Sequence, residues 1–365
     1  MGRCLICGGA LSPALQLPVR LAVTSDCHAV EEQVEIFRCA ACGTLQKAPT
    51  PSYLSKVKEI YQTYRIYALS DGHEQVKFLG GVPRTRSDVI LDHVDQYLPR
   101  AGEFLDIGTG SGVFLRAVHK RFEARARLYA QDISAAAHDR LKADLPIEWF
   151  YAGELSEIDR QFDVISMIHV LEHVPSPVEF LNQVKRLLKD DGVLLIQVPD
   201  LQETVFDSVI FDHISHFTQS TLLTLLRKVF PVCVVPQSKI NNEITVVSGI
   251  NARTLTASPR LESPPSPVDL QGVSRIANFL AHRSQATAVF GVAPAGTFCG
   301  ALLREHLECF VDEDTNIQFK RHLGKLVLPP TQFDSSIPVF LPFNKNAPMI
   351  RSRLNYLRFI TEEDA

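Results

Sequence analysis

The sequence predicts an α/β protein in three parts: an N-terminal zinc ribbon, a central domain on a mostly parallel sheet, and a smaller C-terminal α/β domain. Three observations carry this. Two Cys-x-x-Cys pairs fall within the first 42 residues. A glycine-rich turn inside residues 103–115 joins an apolar strand to a helical pattern. Beyond it apolar strands alternate with amphipathic helices, the pattern of a parallel sheet covered on both faces. The expected boundaries are 1–48 for the ribbon, 49–84 for a helical connection, 85–256 for the central domain and 257–365 for the last.

Composition narrows the setting. At 365 residues, 45% hydrophobic and 21% charged, the chain resembles a soluble globular protein able to bury several cores. A formal net charge of −4 supplies no basic face for nucleic acid. No apolar run approaches the roughly 20 residues that span a bilayer. The start, Met1-Gly2-Arg3-Cys4, lacks a signal peptide's apolar core. A cytoplasmic protein with neither nucleic acid nor membrane as partner is expected. Five of the eight cysteines lie in the first 42 residues, and in a reducing compartment paired cysteines more often bind metal than each other.

Taken in order, Cys4 and Cys7 form one knuckle and Cys39 and Cys42 the other. Two intervening residues let both sulfurs of a knuckle reach one tetrahedral ion about 2.3 Å away. Gly8 and Gly43 permit the turn that directs backbone N–H groups at the sulfurs. Residues 19–23 and 34–38 alternate as short strands between the knuckles. This reads as one structural Zn2+ per chain, holding the fold and doing no chemistry; a disulfide and a redox Cys-x-x-Cys are the competing readings. Cys27-His28 is a loop pair or a spare ligand. Next come Tyr61, Tyr64 and Tyr67, at three-residue spacing along one expected helical face. Such a stripe serves a core or lines a substrate pocket. Residues 85–99 then read as an amphipathic helix.

In the glycine turn an apolar run ends at Asp106, and Gly108, Gly110 and Gly112 alternate with Thr109 and Ser111. Glycines let the backbone fold sharply and a ligand lie against it, while the helix start that follows, with Phe114, aims N–H groups at that ligand. Nicotinamide, flavin and S-adenosylmethionine (SAM) proteins all use such turns. The second strand, 127–132, ends in Asp132, placed to accept both hydroxyls of a ribose, with Ile133 beside it. Strand 147–151 leads to Gly153-Glu154, an edge for an adenine pocket. Strand 162–168, ending in Met167 and Ile168, runs into His169 and His173. A helix at 177–189 closes at Asp190-Asp191-Gly192, and a fifth strand follows at 192–199.

These motifs together resemble class I SAM-dependent methyltransferases. Glu103–Gly112 is similar to their first motif, Asp132 to their ribose acid, and Phe162–Pro175 to their fourth-strand motif with its Leu-Glu-His-Val-Pro-x-Pro ending. The resemblance implies a Rossmann-like domain and SAM as cofactor, contacted by Asp106, Gly108, Thr109, Gly110, Gly112, Phe114, Asp132, Ile133, Gly153, Glu154, Met167, Ile168 and His169. Phe211–Thr218 further resembles the Tyr-x-Glu-His-x-Ser-Tyr-Phe-Ser segment of bacterial nucleotide-sugar C-methyltransferases. Those enzymes share the layout of zinc ribbon, SAM domain and C-terminal domain. Residues 288–296 read as strand and glycine turn, 308–316 as a second strand ending in acids and 337–344 as a third, after a Pro-rich linker at 258–267. That is a second, smaller Rossmann-like domain. Four positions depart from the family pattern: Ile210 and His216 stand where it has tyrosines, Asp212 replaces its glutamate, and Ala295-Gly296 replaces its lysine.

Methyl transfer from a sulfonium is an in-line displacement, so alignment dominates, and a hydroxyl or acidic carbon acceptor also needs a base. His173 stands at the carboxyl end of strand four, where ligands of such sheets bind. His213 follows, with Asp212 expected to orient its imidazole. His216 and His169 complete the rim. A helix-capping His173, a structural His213 and a metal held by His169, His173 and His213 stay open. The expected function is methylation of a small polar metabolite, a nucleotide-linked keto or deoxy sugar, at carbon or else at oxygen or nitrogen, by a monomer or homodimer. A zinc-ribbon enzyme modifying a macromolecule and a catalytically silent scaffold are the other classes.

Overall fold

The computed structural model describes residues 2–361 except 66, 75, 80–81, 136–137, 237–239, 241, 252–254, 256–267 and 343–346, and only the backbone of 77–79. The expected linker at 258–267 lies outside the described residues. No described helix is long and apolar enough to cross a membrane.

The N-terminal part holds β1 (Leu11–Gln16), β2 (Ala22–Val23), β3 (Ala29–Val30), β4 (Glu35–Cys39) and β5 (Leu45–Gln46). β1, β4 and β5 form an antiparallel sheet, while β2 pairs with β3 and bridges Ile210 through Val23. Helix α1 (Pro51–Thr63) begins where the Thr50 hydroxyl accepts the Tyr53 N–H at 3.2 Å. It stops before Tyr64, whose ψ is 127°, and Tyr67 has φ 61°. Tyr61, Tyr64 and Tyr67 therefore do not share a helical face, as their spacing had predicted; only Tyr61 is helical. A hairpin of β6 (Val76–Leu79) and β7 (Val82–Thr85) leads into α2 (Arg86–Val94), which ends short of the expected residue 99 and continues as a 3₁₀ turn over 95–97.

The central part runs β8 (Gly102–Ile107), α3 (Val113–Phe122), β9 (Ala126–Asp132), α4 (His138–Asp144), β10 (Ile147–Ala152), β11 (Phe162–Ile168), α5 (Pro177–Arg186), β12 (Leu188–Pro199), β13 (Ser215–His216), α6 (Gln219–Leu226), β14 (Val232–Val234) and β15 (Glu243–Gly249). The sheet order is β10-β9-β8-β11-β12-β15-β14, parallel from β10 to β12, with β15 reversed between β12 and β14 and β14 running with the parallel strands. Successive strand residues point to opposite faces, so Leu105, Ile165 and Leu194 enter one core while Phe104, Val164 and Leu195 enter the other. Asp190-Asp191-Gly192 is not the expected turn. α5 ends at Arg186, and β12 already pairs with β11 at Leu188, where Lys189 ties to Asp163 (2.8 Å) and Glu103 (3.1 Å).

The C-terminal part follows as α7 (Gln271–Ala281), β16 (Thr287–Phe290), α8 (Pro294–Leu303), β17 (Leu307–Val311), β18 (Arg321–His322), β19 (Lys325–Leu328), β20 (Val339–Phe340), α9 (Ala347–Arg353) and β21 (Phe359–Ile360). Its order is β18-β19-β17-β16-β20-β21, parallel apart from β18. Gly296 lies inside α8, where a Cβ would sit 2.0 Å from the Gly291 carbonyl oxygen. Close approach of helix to turn demands glycine there.

Segment 200–216 is where the three parts meet. β13 adds itself to the N-terminal sheet through β5. One apolar cluster joins Leu15 and Ile36 of the ribbon, Phe206 and Val209 of this segment, and Phe298 of α8.

Candidate functional site

A cleft of 2540 Å³ opens at the carboxyl edge of the central sheet and is lined from all three parts. On one wall lies the glycine turn. Gly108, Gly110 and Gly112 have φ of 66°, 50° and 75°, a left-handed conformation costly for residues with a Cβ. A Cβ on Gly108 would sit 2.6 Å from Val170 Cγ2. On Gly112 it would sit 2.0 Å from Leu141 Cδ2, so this glycine admits α4 rather than a ligand. Asp132 Oδ2 accepts from the Gly110 N–H (2.9 Å) and Oδ1 from the Ser134 N–H (3.0 Å), which holds the carboxylate beside the turn. Ile133 is 82% exposed over the cleft, and the Ser111 hydroxyl is buried with no hydrogen-bond partner. Gly153, Glu154, Ile168 and His169 also line the cleft.

Other expected cofactor contacts support the turn from behind. Asp106 is buried, accepts from Ser166 Oγ at 2.6 Å, and burial pushes its carboxyl up to about 7. Thr109 fixes the loop through its backbone, its N–H reaching Gln131 O (3.0 Å) and its carbonyl accepting from Gly112 (2.8 Å). Phe114 and Met167 are in the core and not in the cleft, because their positions on α3 and β11 face the apolar layers on either side of the sheet.

The histidines fall into distinct environments. His169, at φ 56°, is held between Glu243 (Nε2 to Oε2, 2.8 Å) and Glu172 (Nδ1 to Oε1, 3.2 Å). Burial disfavours its charge, but the Glu243 and Glu172 carboxylates together outweigh that and raise it to about 9. An imidazole already protonated is no base, which corrects the expectation for His169. With these carboxylates stands Arg86, which donates to the Tyr67 hydroxyl at 2.7 Å. His173 Nδ1 meets the Asp212 carbonyl at 3.0 Å, and its ring stands edge-on to His213, 4.6 Å between centroids. Burial and the neighbouring His213 hold His173 below its ordinary value.

His213 is oriented by Asp207, Nδ1 to Oδ1 at 2.6 Å, and not by Asp212. Asp212 turns instead to the ribbon, accepting from the Ser25 N–H (2.8 Å) and Oγ (2.5 Å). The other oxygen of Asp207 takes His216 Nδ1 at 2.7 Å. Burial opposes ionisation of Asp207, yet His216 and His213 hold it far below the usual carboxylate range. Against burial, Asp207 raises His213. His216 is removed from the cleft. It is fully buried, and burial with the nearby Lys47 ammonium pushes it down to about 4. That corrects its expected place on the rim. Asp207 and Lys47 were not singled out in the sequence.

Tyr61, Tyr64 and Tyr67 do line the cleft despite sharing no helical face. Tyr61 packs on Tyr64 (5.2 Å between centroids) and edge-on to His173 (6.0 Å), while the Tyr64 hydroxyl lies 3.2 Å from Ser25 Oγ, whose one proton goes to Asp212. His169 does not join His173 and His213 as a ligand set. Glu172, His173 and His213 offer ligand atoms within 4.8 Å of one another.

The second candidate group is the cysteine cluster. Sulfurs of Cys4 and Cys42 lie 3.6 Å apart and those of Cys7 and Cys39 3.4 Å apart, with all four within 4.8 Å. A tetrahedral ion 2.3 Å from each sulfur sets them about 3.8 Å apart, whereas a disulfide needs about 2.05 Å. Backbone N–H groups of Ile6 and Cys7 point at the Cys4 sulfur, and those of Ala41 and Cys42 at Cys39. The donor set fits a structural Zn2+. Cys27 stands apart, on the cleft wall, and burial pushes its thiol up to about 12; the His28 side chain is 68% exposed.

Residues 82–229 match the sequence profile of a methyltransferase domain. A ubiquinone biosynthesis O-methyltransferase of Neisseria meningitidis serogroup A is 29% identical over 112 residues, 28% of this chain and 47% of that protein. The C-methyltransferase NovU of Streptomyces niveus is 30% identical over 105 residues, 27% of this chain and 25% of the other. The chain spans about half the length of the first of these relatives. Among solved structures, a SAM-dependent methyltransferase from Thermotoga maritima, described as a possible histamine N-methyltransferase, is 15% identical at a TM-score of 0.39. The match covers 55% of this chain and 99% of that one.

Proposed function

We propose that the methyltransferase domain at residues 82–229 makes this chain a SAM-dependent enzyme that methylates a small polar acceptor, of the nucleotide-linked sugar class. The observation that carries this reading is a carboxylate-oriented imidazole, His213 on Asp207 at 2.6 Å, facing the same cleft as the Gly108–Ser111 turn. The turn fits the cofactor. Gly108 makes the left-handed turn against Val170, Asp132 stands ready for a ribose, and Ile133 offers an apolar face for adenine. SAM supplies an electrophilic methyl group there. His213 takes the acceptor's proton through Nε2, since Nδ1 is committed to Asp207. His173 and the phenols of Tyr61 and Tyr64, which pack in a row beside His213, hold the acceptor. Cys4, Cys7, Cys39 and Cys42 bind one Zn2+ that holds the ribbon together and takes no part in the chemistry.

The sugar-nucleotide class rests on the reach of the cleft. Pockets for a single small ligand run to about 300–1,000 Å³. This one, at 2540 Å³, extends to the Gly291–Pro294 turn and to Asp312 of the C-terminal part. That turn precedes α8, whose free N–H groups suit a phosphate. O-methylation is the second reading, favoured by Ile210, which has no hydroxyl to stabilise an enolate.

Calorimetry with SAM tests the enzyme reading, and absence of binding refutes it. Wash-in of solvent deuterium beside a sugar ketone, with no SAM present, tests carbon methylation. No exchange in a SAM-binding protein selects transfer to oxygen or nitrogen.

A further inference from the structure

We infer that Lys47, a residue of the N-terminal part, is the positioning residue that fixes which nitrogen of His213 faces the cleft and keeps that nitrogen free of a proton. Lys47 follows β5, and its N–H donates to the Ile214 carbonyl at 2.8 Å. Its side chain is buried. Burial pushes this amine down to about 7, with the Asp207 and Asp212 carboxylates acting against burial. In its ammonium form it has three donors and no acceptor, and each donor has a target: Ile210 O at 2.7 Å, His213 O at 2.7 Å and His216 Nε2 at 3.1 Å.

Directionality then propagates. Because Lys47 only donates, His216 Nε2 accepts, so the proton of a neutral His216 lies on Nδ1 and is given to Asp207 Oδ2 at 2.7 Å. Ionised Asp207 only accepts, so its Oδ1 receives the Nδ1 proton of His213 at 2.6 Å. The bare nitrogen of His213 is therefore Nε2, the one turned away from Asp207. Tautomer and ring orientation are both set through the partner nitrogen.

Charge balance points the same way. A buried carboxylate needs a counter-charge. The Lys47 ammonium supplies part of it to Asp207 and so lessens the pull of that carboxylate on a proton at His213, which Asp207 raises against burial. The other groups around His213 are Glu172, Asp212 and His173. Two of these three are acids, so loss of the ammonium would favour a proton on His216 or His213. Lys47 also clamps the carbonyls at both ends of the turn 210–213. Through this one side chain and the β5–β13 pairing, the cysteine module becomes part of the active site.

The inference rests on His213 as base, and its test separates the two. In whole protein labelled with 15N-histidine, wild-type His213 should show a protonated Nδ1 and a bare Nε2. A proton on Nε2 overturns the proposal without reference to turnover, and absence of SAM binding would sink the function while leaving this result intact. Lys47→Met should lower kcat by about 10- to 100-fold with KM for SAM within about twofold, because the glycine turn is untouched. Removing a nearby cation should also move the acidic limb of the kcat–pH profile up by about one pH unit. In a His213→Ala background the same substitution should cost nothing further. An equal loss in both backgrounds means that Lys47 acts on the fold alone, and the proposal falls. If Lys47→Met does not fold, the wild-type tautomer measurement still decides.

Discussion

Replacing Asp207 by Asn should abolish turnover while leaving cofactor affinity nearly intact. Asp207 is fully buried and accepts two imidazole protons, from His213 at 2.6 Å and His216 at 2.7 Å. An amide has one oxygen and one NH2, so it can accept from one ring only, and the other ring must present a lone pair. While Lys47 keeps its ammonium form His216 is not that ring, because moving its proton to Nε2 would set N–H against Lys47 3.1 Å away. His213 must therefore move its proton to Nε2, into the cleft, where a base is needed. General-base catalysis is worth about 10²–10⁴ in rate, and kcat should fall by that factor. SAM affinity, which depends on the turn at 108–112 and Asp132, should change by less than about twofold. Removing the carboxylate from this buried cluster should also lower stability by up to about 3–5 kcal/mol. Steady-state kinetics, calorimetry and denaturant melts check each part. A folded Asp207→Asn protein keeping more than a tenth of wild-type kcat would refute the tautomer reasoning.

Four further outcomes follow from the same structure. His169 is raised in the fold to about 9 from an unfolded value near 6.5. Its contribution to stability is thus complete below about pH 6.5 and lost as pH rises through 9, so wild-type melting temperature should fall over that window more than that of His169→Asn. Asp207, depressed in the fold, stabilises above its unfolded value near 4 and ceases to do so as pH falls below it; acid unfolding should begin at higher pH in Asp207→Asn. Stripping the cysteine cluster with a chelator should release about one zinc per chain and lower the melting temperature, and colorimetric release assays beside calorimetric scans would show both. Gly108→Ala, at φ 66° with its Cβ 2.6 Å from Val170 Cγ2, should weaken SAM binding by about tenfold or more, read by calorimetry.

Legibility in the sequence followed local periodicity and stopped where contacts became long-range. The parallel strands, the glycine turn, Asp132 and the cysteine knuckles each follow from neighbours within a few residues, and they lie where expected. The tyrosine stripe failed because spacing alone cannot say where α1 stops, although the residues still reach the cleft by the turn after Thr63. The misassigned partner of His213 has a deeper cause. Asp212 is its neighbour in sequence, but it lies in the turn at 210–213 and is drawn off by Ser25, 187 positions away. Asp207, six residues before His213 and nine before His216, sits in a 3₁₀ turn with no periodicity to betray its direction. Lys47 lies 166 positions from His213, with no local signal at all. A base at the edge of such a sheet can be anticipated from the edge itself. What would make it a base in the proposed reaction is a buried charge pair assembled from different parts of the chain, and the packing of 200–216 against the ribbon brings that pair together.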